Sequence, residues 1–307
     1  LRNFIAIHKA LGSMKPSRTF GAPSEAPRAA QALRRHLRAM TRLGLLVLLT
    51  LFACLLPFLA APAAVLRPRL RSRLQSRSAR LWACGVAAII GMEIRIKGVP
   101  PKDPSLVVSN HLGYLDIVPL LMKTDALFVA KAEISKWPMA GAVCRAWNTI
   151  FLDRARKRDL PRAIEAMTTS LRAGKSVIFF PEGTCTPGAR VLPFKSSLFE
   201  AAVRSGRPVS CAGISYSVDG AEPPAHRSIC WWDATVFLQH LYRLLQIRTF
   251  QASVVFHGTV SGDHRKKLAA GAHRAVSANF IPLVSDIGLE SIDVPVSRGF
   301  YDAVSVK

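Results

Sequence analysis

The sequence predicts an α/β domain preceded by an N-terminal membrane helix or two-helix hairpin. Three observations carry that reading. Residues 43–66 run for 24 residues without a charge (LGLLVLLTLFACLLPFLAAPAAVL), longer than the roughly 20 apolar residues that cross a hydrocarbon core. Past Met92 the pattern changes to short β-rich runs alternating with amphipathic stretches, as expected of helices packed on a sheet. A formal net charge of +23 coexists with a positive mean hydropathy, a combination that soluble nucleic-acid binders rarely show. No RNP, zinc-finger or helix-turn-helix pattern accompanies it, so no nucleic-acid partner is expected.

Taken in order, residues 1–42 form a basic N-terminal segment. Residues 1–80 hold fifteen Lys and Arg against the single acid Glu25. The apolar run is interrupted by Pro57 and Pro62 and has basic flanks on both sides: Arg28, Arg34, Arg35, Arg38 and Arg42 before it, six arginines from Arg67 to Arg80 after it. With both flanks basic, the positive-inside rule selects no orientation. A second apolar run, residues 81–92, is too short to cross and reads as the interfacial partner of the first, so that residues 43–92 form one membrane-associated helical element. A hairpin of this kind keeps both basic flanks near an anionic surface, where each Lys or Arg contributes about 1 kcal/mol.

Residues 93–280 read as the α/β domain and 281–307 as a C-terminal tail without legible pattern. Candidate strands are 93–97, 106–109, 127–130, 176–180, 208–214 and 252–256. The clearest helix spans 160–173: Leu160, Ile164, Met167 and Leu171 share a face, Asp159 is placed to cap it, and Gly174 follows its end. A second begins at Ser197, whose spacing to Glu200 fits a capping box, and stops at Gly206.

Three stretches carry chemistry. VVSNHLGYLDIVPL places His111 directly after a buried-looking strand with Asp116 five residues on. On a regular helix five steps separate two side chains onto different faces, so this pair meets only if a turn intervenes and the helix starts late; Gly113 permits that turn. Once joined, the carboxylate would fix the imidazole tautomer while the other nitrogen takes a proton. FFPEGTCTPG presents Glu182, Gly183 and Thr184 where a strand meets a Gly/Pro-rich loop, the usual place for α/β sites. In NTIFLDRARKR, Arg154 follows an apolar run and can clamp an anion bidentately. Taken singly, the first has a plain structural alternative in histidine capping or turn chemistry, and the third in a surface charge.

Their order and spacing resemble the glycerolipid acyltransferase family, in particular the bacterial 1-acyl-glycerol-3-phosphate acyltransferases. NHLGYLDI looks like that family's N-H-x4-D block, IFLDR its second block, FPEGT its third and RPVSCAGI a looser fourth; the resemblance covers roughly residues 97–214, with weaker likeness through WWDATVFLQHLYRLL. It implies a mixed, mostly parallel sheet flanked by helices, with His111 as general base and Asp116 as its orienter. Arg154, Glu182, Gly183, Thr184 and Lys131 would bind the acceptor. Asn110, Pro181 and Pro208 belong to the same blocks, Pro208 on the acyl-donor side.

The implied reaction transfers a fatty-acyl group from acyl-CoA or acyl-carrier protein to the hydroxyl of a lysophospholipid, giving phosphatidic acid from 1-acyl-glycerol-3-phosphate. Another lysolipid, such as a lyso-ornithine lipid, is the alternative acceptor. The reaction calls for no metal or resident cofactor, and it places the protein among membrane lipids at the cytoplasmic face of the cell inner membrane. Two departures concern the acceptor: Cys185 stands where relatives often carry an arginine, and the fourth block lacks a second proline. The six cysteines include no C-x-x-C pair and no zinc-spaced histidine, and are expected as free thiols. Ser109 and Cys185 lie in no G-x-S-x-G elbow, so neither is expected to carry an acyl-enzyme.

Overall fold

A computed structural model describes residues 25–59, 68–156 and 158–285. The chain divides between Leu37 and Arg38 into two units. In the first, the described residues are the opening turns of a helix. Everything below concerns the second. Parts of the expected basic segment, of the apolar run and of the C-terminal tail, including Pro62 and Arg67, fall outside the described residues.

Two long helices come first, α1 (Glu25–Leu59) and α2 (Pro68–Ile90). They pair as an antiparallel hairpin: Trp82 Nε1 donates to Thr50 Oγ1 (3.1 Å), and a Cβ on Gly85 would run into Leu49. α1 is long and apolar enough to cross a membrane, yet its two sides differ. Leu43, Leu46 and Leu49 pack against the domain core. Leu45, Leu48, Phe52 and Leu55, at i, i+3, i+7 and i+10, form an outward stripe between 46% and 64% exposed. α2 also departs from the expectation of a short interfacial run. The basic stretch is helical too, and Ala83, Val86, Ala87 and Ile90 are buried against the domain.

The domain is built on β1 (Met92–Lys97), β2 (Leu106–Ser109), β3 (Ala126–Lys131), β4 (Ile150–Leu152), β5 (Ser176–Phe179), β6 (Val209–Val218) and β7 (Phe250–Val260). They form one sheet of order β1-β7-β6-β2-β5-β3-β4. β6, β2, β5, β3 and β4 run parallel, while β7 pairs antiparallel with β6 and parallel with β1. The central strands are buried on both faces, which is why they read as unbroken apolar runs. Val107 and Ile178 enter one core with the hairpin; Leu106, Val108, Val177 and Phe179 enter the other.

The remaining helices are α3 (Ile117–Lys123), α4 (Pro138–Ala146), α5 (Asp159–Arg172), α6 (Glu200–Ser205), α7 (Ala225–Ser228), α8 (Phe237–Gln246) and α9 (Arg265–Ser277). α5 buries Ile164, Met167 and Leu171, as its periodicity requires. Asp159 is its first residue rather than its cap; the carboxylate accepts from Asp153 N (2.6 Å) and pairs with Arg162. The expected capping box at Ser197 does not form. Residues 197–199 make a 3₁₀ turn, and Glu200 pairs with Arg204 instead (3.1 Å).

Candidate active site

The parallel block brings four strand ends to one edge of the sheet: β2 leading to His111, β5 to Glu182, β3 ending on Lys131 and β4 leading to Arg154. Asn110 finishes the rigid part of β2. Its side-chain amide donates to Ile214 O (2.9 Å) and accepts from Ile214 N (2.7 Å), continuing the β2–β6 pairing one residue past the strand. His111 is therefore the first residue beyond a fixed edge.

From there the chain turns before it becomes helical. A 3₁₀ turn spans Tyr114–Asp116 and α3 starts only at Ile117, so His111 and Asp116 meet: Nδ1 lies 2.8 Å from Oδ2. The same oxygen accepts from Leu112 N (2.7 Å) and Gly113 N (3.1 Å), and Oδ1 accepts from the Tyr216 hydroxyl (2.7 Å). Asp116 is wholly buried, and its carboxylate is held by four donors. Gly113 has an extended backbone open to any residue; what requires glycine there is space, since a Cβ would lie 2.9 Å from Trp231 N.

The imidazole is 20% exposed and stacks on Phe180 (centroids 4.0 Å apart, planes at 8°). Burial disfavours its protonated form, but the neighbouring Cys185 and Asp116 outweigh burial and raise its pKa above the ordinary value. An imidazole held at Nδ1 by a buried carboxylate presents Nε2 as the proton acceptor.

The FPEGT loop closes over this turn. Glu182 Oε1 accepts from His111 N (3.1 Å), and Thr186 N donates to His111 O (2.9 Å). Glu182 is 2% exposed, and its Oε2 has no hydrogen-bond partner among the described residues. Burial pushes this carboxyl up to about 8, against the opposing pull of the His111 N–H and charge. Gly183 adopts φ +79°, the left-handed region that suits glycine. A Cβ there would sit 3.1 Å from Lys195 Nζ and 3.3 Å from Arg154 Nη1, and Arg154 donates to Gly183 O. Two cations thus flank one point of the loop. Burial and the Arg154 charge hold the Lys195 pKa down, and an anion placed between the two would relieve their repulsion. Thr184 is half-buried beside them, its hydroxyl donating to Cys185 O (3.4 Å), while Pro181 O accepts from Lys195 N (2.9 Å).

Two of the predicted residues stand apart. Lys131 is exposed on the correct edge, at the end of the strand between β5 and β4. Pro208 precedes β6 and accepts from Leu106 N (3.0 Å), which puts it at the opposite edge, roughly 15 Å from His111 by strand rise.

The acyltransferase family model matches residues 93–215, which hold His111, Asp116, Arg154, Glu182 and Lys195. The lyso-ornithine lipid O-acyltransferase of Rhodobacter capsulatus is 37% identical over 62% of this chain and 70% of its own length. The chain belongs to the acyltransferase family. Another relative of this acyltransferase, the 1-acyl-sn-glycerol-3-phosphate acyltransferase of Neisseria gonorrhoeae, is 34% identical over 46% of the chain and 57% of its own. The acyltransferase also shares its fold with the 1-acyl-sn-glycerophosphate acyltransferase PlsC from Thermotoga maritima, at TM-score 0.51 and 21% identity, covering 76% of this chain and 96% of that one.

Sequence reasoning missed three residues that the acyltransferase fold brings to the site. Tyr216 follows Ala212 and Ile214 at period 2 on one face of β6, a signal present but cut off by ending that strand at Ile214. Phe180 ends the expected strand 176–180, and nothing in the sequence marks its ring as a partner for His111. Lys195 sits in a loop without periodicity and offered no signal.

Proposed function

We propose that this acyltransferase moves an acyl group from a thioester to the hydroxyl of a lysolipid, with His111 as general base. The observation that carries this reading is the His111–Asp116 contact, built by a turn whose only charged groups point inward to that contact. Nε2 removes the acceptor's hydroxyl proton as the oxygen attacks the thioester carbonyl. The tetrahedral intermediate collapses with cleavage of the C–S bond, and the leaving thiolate takes the proton back from the imidazolium. Asp116 stabilises the imidazolium in between. Glu182 supports the turn through His111 N, and Arg154 and Lys195 receive the anionic part of the acceptor beside Gly183. The chemistry needs no resident cofactor; acyl-CoA or acyl-carrier protein is the co-substrate.

The acceptor favoured here is a lyso-ornithine lipid, whose carboxylate suits two cations, because the relative bearing that name matches the longer part of the chain. The second reading is 1-acyl-glycerol-3-phosphate, giving phosphatidic acid: a phosphate suits the same pair, and the block pattern resembles enzymes of that type. The enzyme would then act at the cytoplasmic face of the inner membrane, where a soluble acyl donor meets a lipid acceptor. A panel of lysolipids with labelled acyl-CoA and purified protein decides between the two. Turnover at least ten-fold higher in kcat/KM on lyso-ornithine lipid is expected; preference for 1-acyl-glycerol-3-phosphate would install the second reading.

A further inference from the structure

Arg38 and Arg42 take no part in that reaction, and as members of a basic flank they were expected to meet lipid headgroups. Both are half-buried and turned inward. Arg42 donates through Nη1 to Leu245 O (3.3 Å) and to Ile247 O, and through Nη2 to Arg248 O (2.8 Å); Arg38 Nη1 donates to Gln246 O (2.8 Å). These acceptors are the last carbonyls of α8 and those just beyond it, groups that a helix end leaves unpaired. The other arm of the hairpin closes on the same point. Gly91, directly after α2, has φ +73°, and a Cβ there would lie 2.9 Å from Arg42 Nη2 and closer still to Arg248 O.

The opposite end of α8, about 15 Å away, holds the catalytic turn. His240 Nε2 lies 3.1 Å from Cys230 O, which leaves Nδ1 to accept from the Tyr114 hydroxyl at 3.1 Å. Phe237 packs edge-on to Tyr114 (5.0 Å) and Trp231 (5.7 Å), and Trp231 N donates to Leu112 O (2.9 Å). Tyr114 and Leu112 bracket Gly113, whose N–H holds Asp116.

We propose that Arg42, with Arg38, makes the membrane hairpin a positioning element for catalysis: the latch sets α8, and α8 sets the turn that presents His111 and Asp116. This rests on the His111 reading above. The hairpin then sets catalytic geometry through this contact, separately from its hold on the membrane. A displacement of about 1 Å at reacting groups costs up to about 100-fold in rate, so loss of the latch acts on kcat rather than on substrate affinity.

The test uses the full-length chain in vesicles of phosphatidylethanolamine and phosphatidylglycerol. Arg42→Ala is expected to lower kcat roughly 10- to 100-fold, with KM for donor and lysolipid within about two-fold and co-sedimentation with vesicles unchanged; Arg42→Lys should recover part of the loss. Tyr114→Phe should also lower kcat, and the double variant should lose little beyond the worse single one, since both cut one line of contacts. Should Arg42→Ala yield no folded protein, Arg38→Ala is read in its place, with a smaller loss of the same kind. Unchanged kcat, losses that multiply in the double variant, or a loss that tracks weakened vesicle binding would overturn the proposal. A His111→Ala control run alongside keeps the two apart: an active control refutes the reading of His111 and leaves the Arg42 result to be judged by the same cycle.

Discussion

Asp116 shows how much of this site is spent on one side chain: four donors, among them the hydroxyl of a residue a hundred positions away in the chain, fix a carboxylate that has no solvent. Tyr216→Phe leaves Oδ1 buried and unpaired. The expected outcome is a loss of about 1.5–3 kcal/mol in stability, read from denaturant midpoints, together with a fall in kcat and little change in KM; wild-type stability and turnover would show that Oδ1 needs no partner. The His111–Asp116 pair was legible because five residues of spacing, with a glycine between, admit few ways to meet. The reason for that glycine was not legible, because its constraint is Trp231, far away in sequence. Lys195 was invisible for the same kind of reason: Pro181 O and the tight Gly183 turn bring it beside Arg154.

Among the elements, the parallel strands were readable to within a residue or two where both faces are buried, as in β2 and β5. β4 is three residues long, and its IFL run carries too little pattern to name. β6 and β7 reach four residues past their expected ends because they pair antiparallel with each other over that length, which is information about a partner rather than about either run. The loops after β4 and β5 carry a prediction of their own. Arg154→Ala and Lys195→Ala should each raise the KM for lysolipid well above that for acyl-CoA, with kcat moved less. A larger change in donor KM would move the pair to the other substrate.

For the molecule as a whole, the hairpin's position limits how it meets a bilayer. Arg73, Arg77 and Arg80 are exposed on α2 alongside the apolar length of α1, and charges at bilayer depth are costly. A hairpin lying in one leaflet, with the Leu45, Leu48, Phe52 and Leu55 stripe inward, avoids that cost. Single cysteines replacing Met40 and Arg73 in a cysteine-free background, near opposite ends of the hairpin, should both label only from the cytoplasmic side; labelling of one from outside would replace this arrangement with a span. The central claim is that His111 draws the proton from the lysolipid hydroxyl, and one comparison tests it most directly: labelled acyl-CoA and lyso-ornithine lipid with purified wild-type protein and with His111→Ala, both checked for folding by circular dichroism. Transfer lowered by about 10²- to 10⁴-fold in the folded variant is the expected result, and near-normal transfer by folded His111→Ala would contradict it.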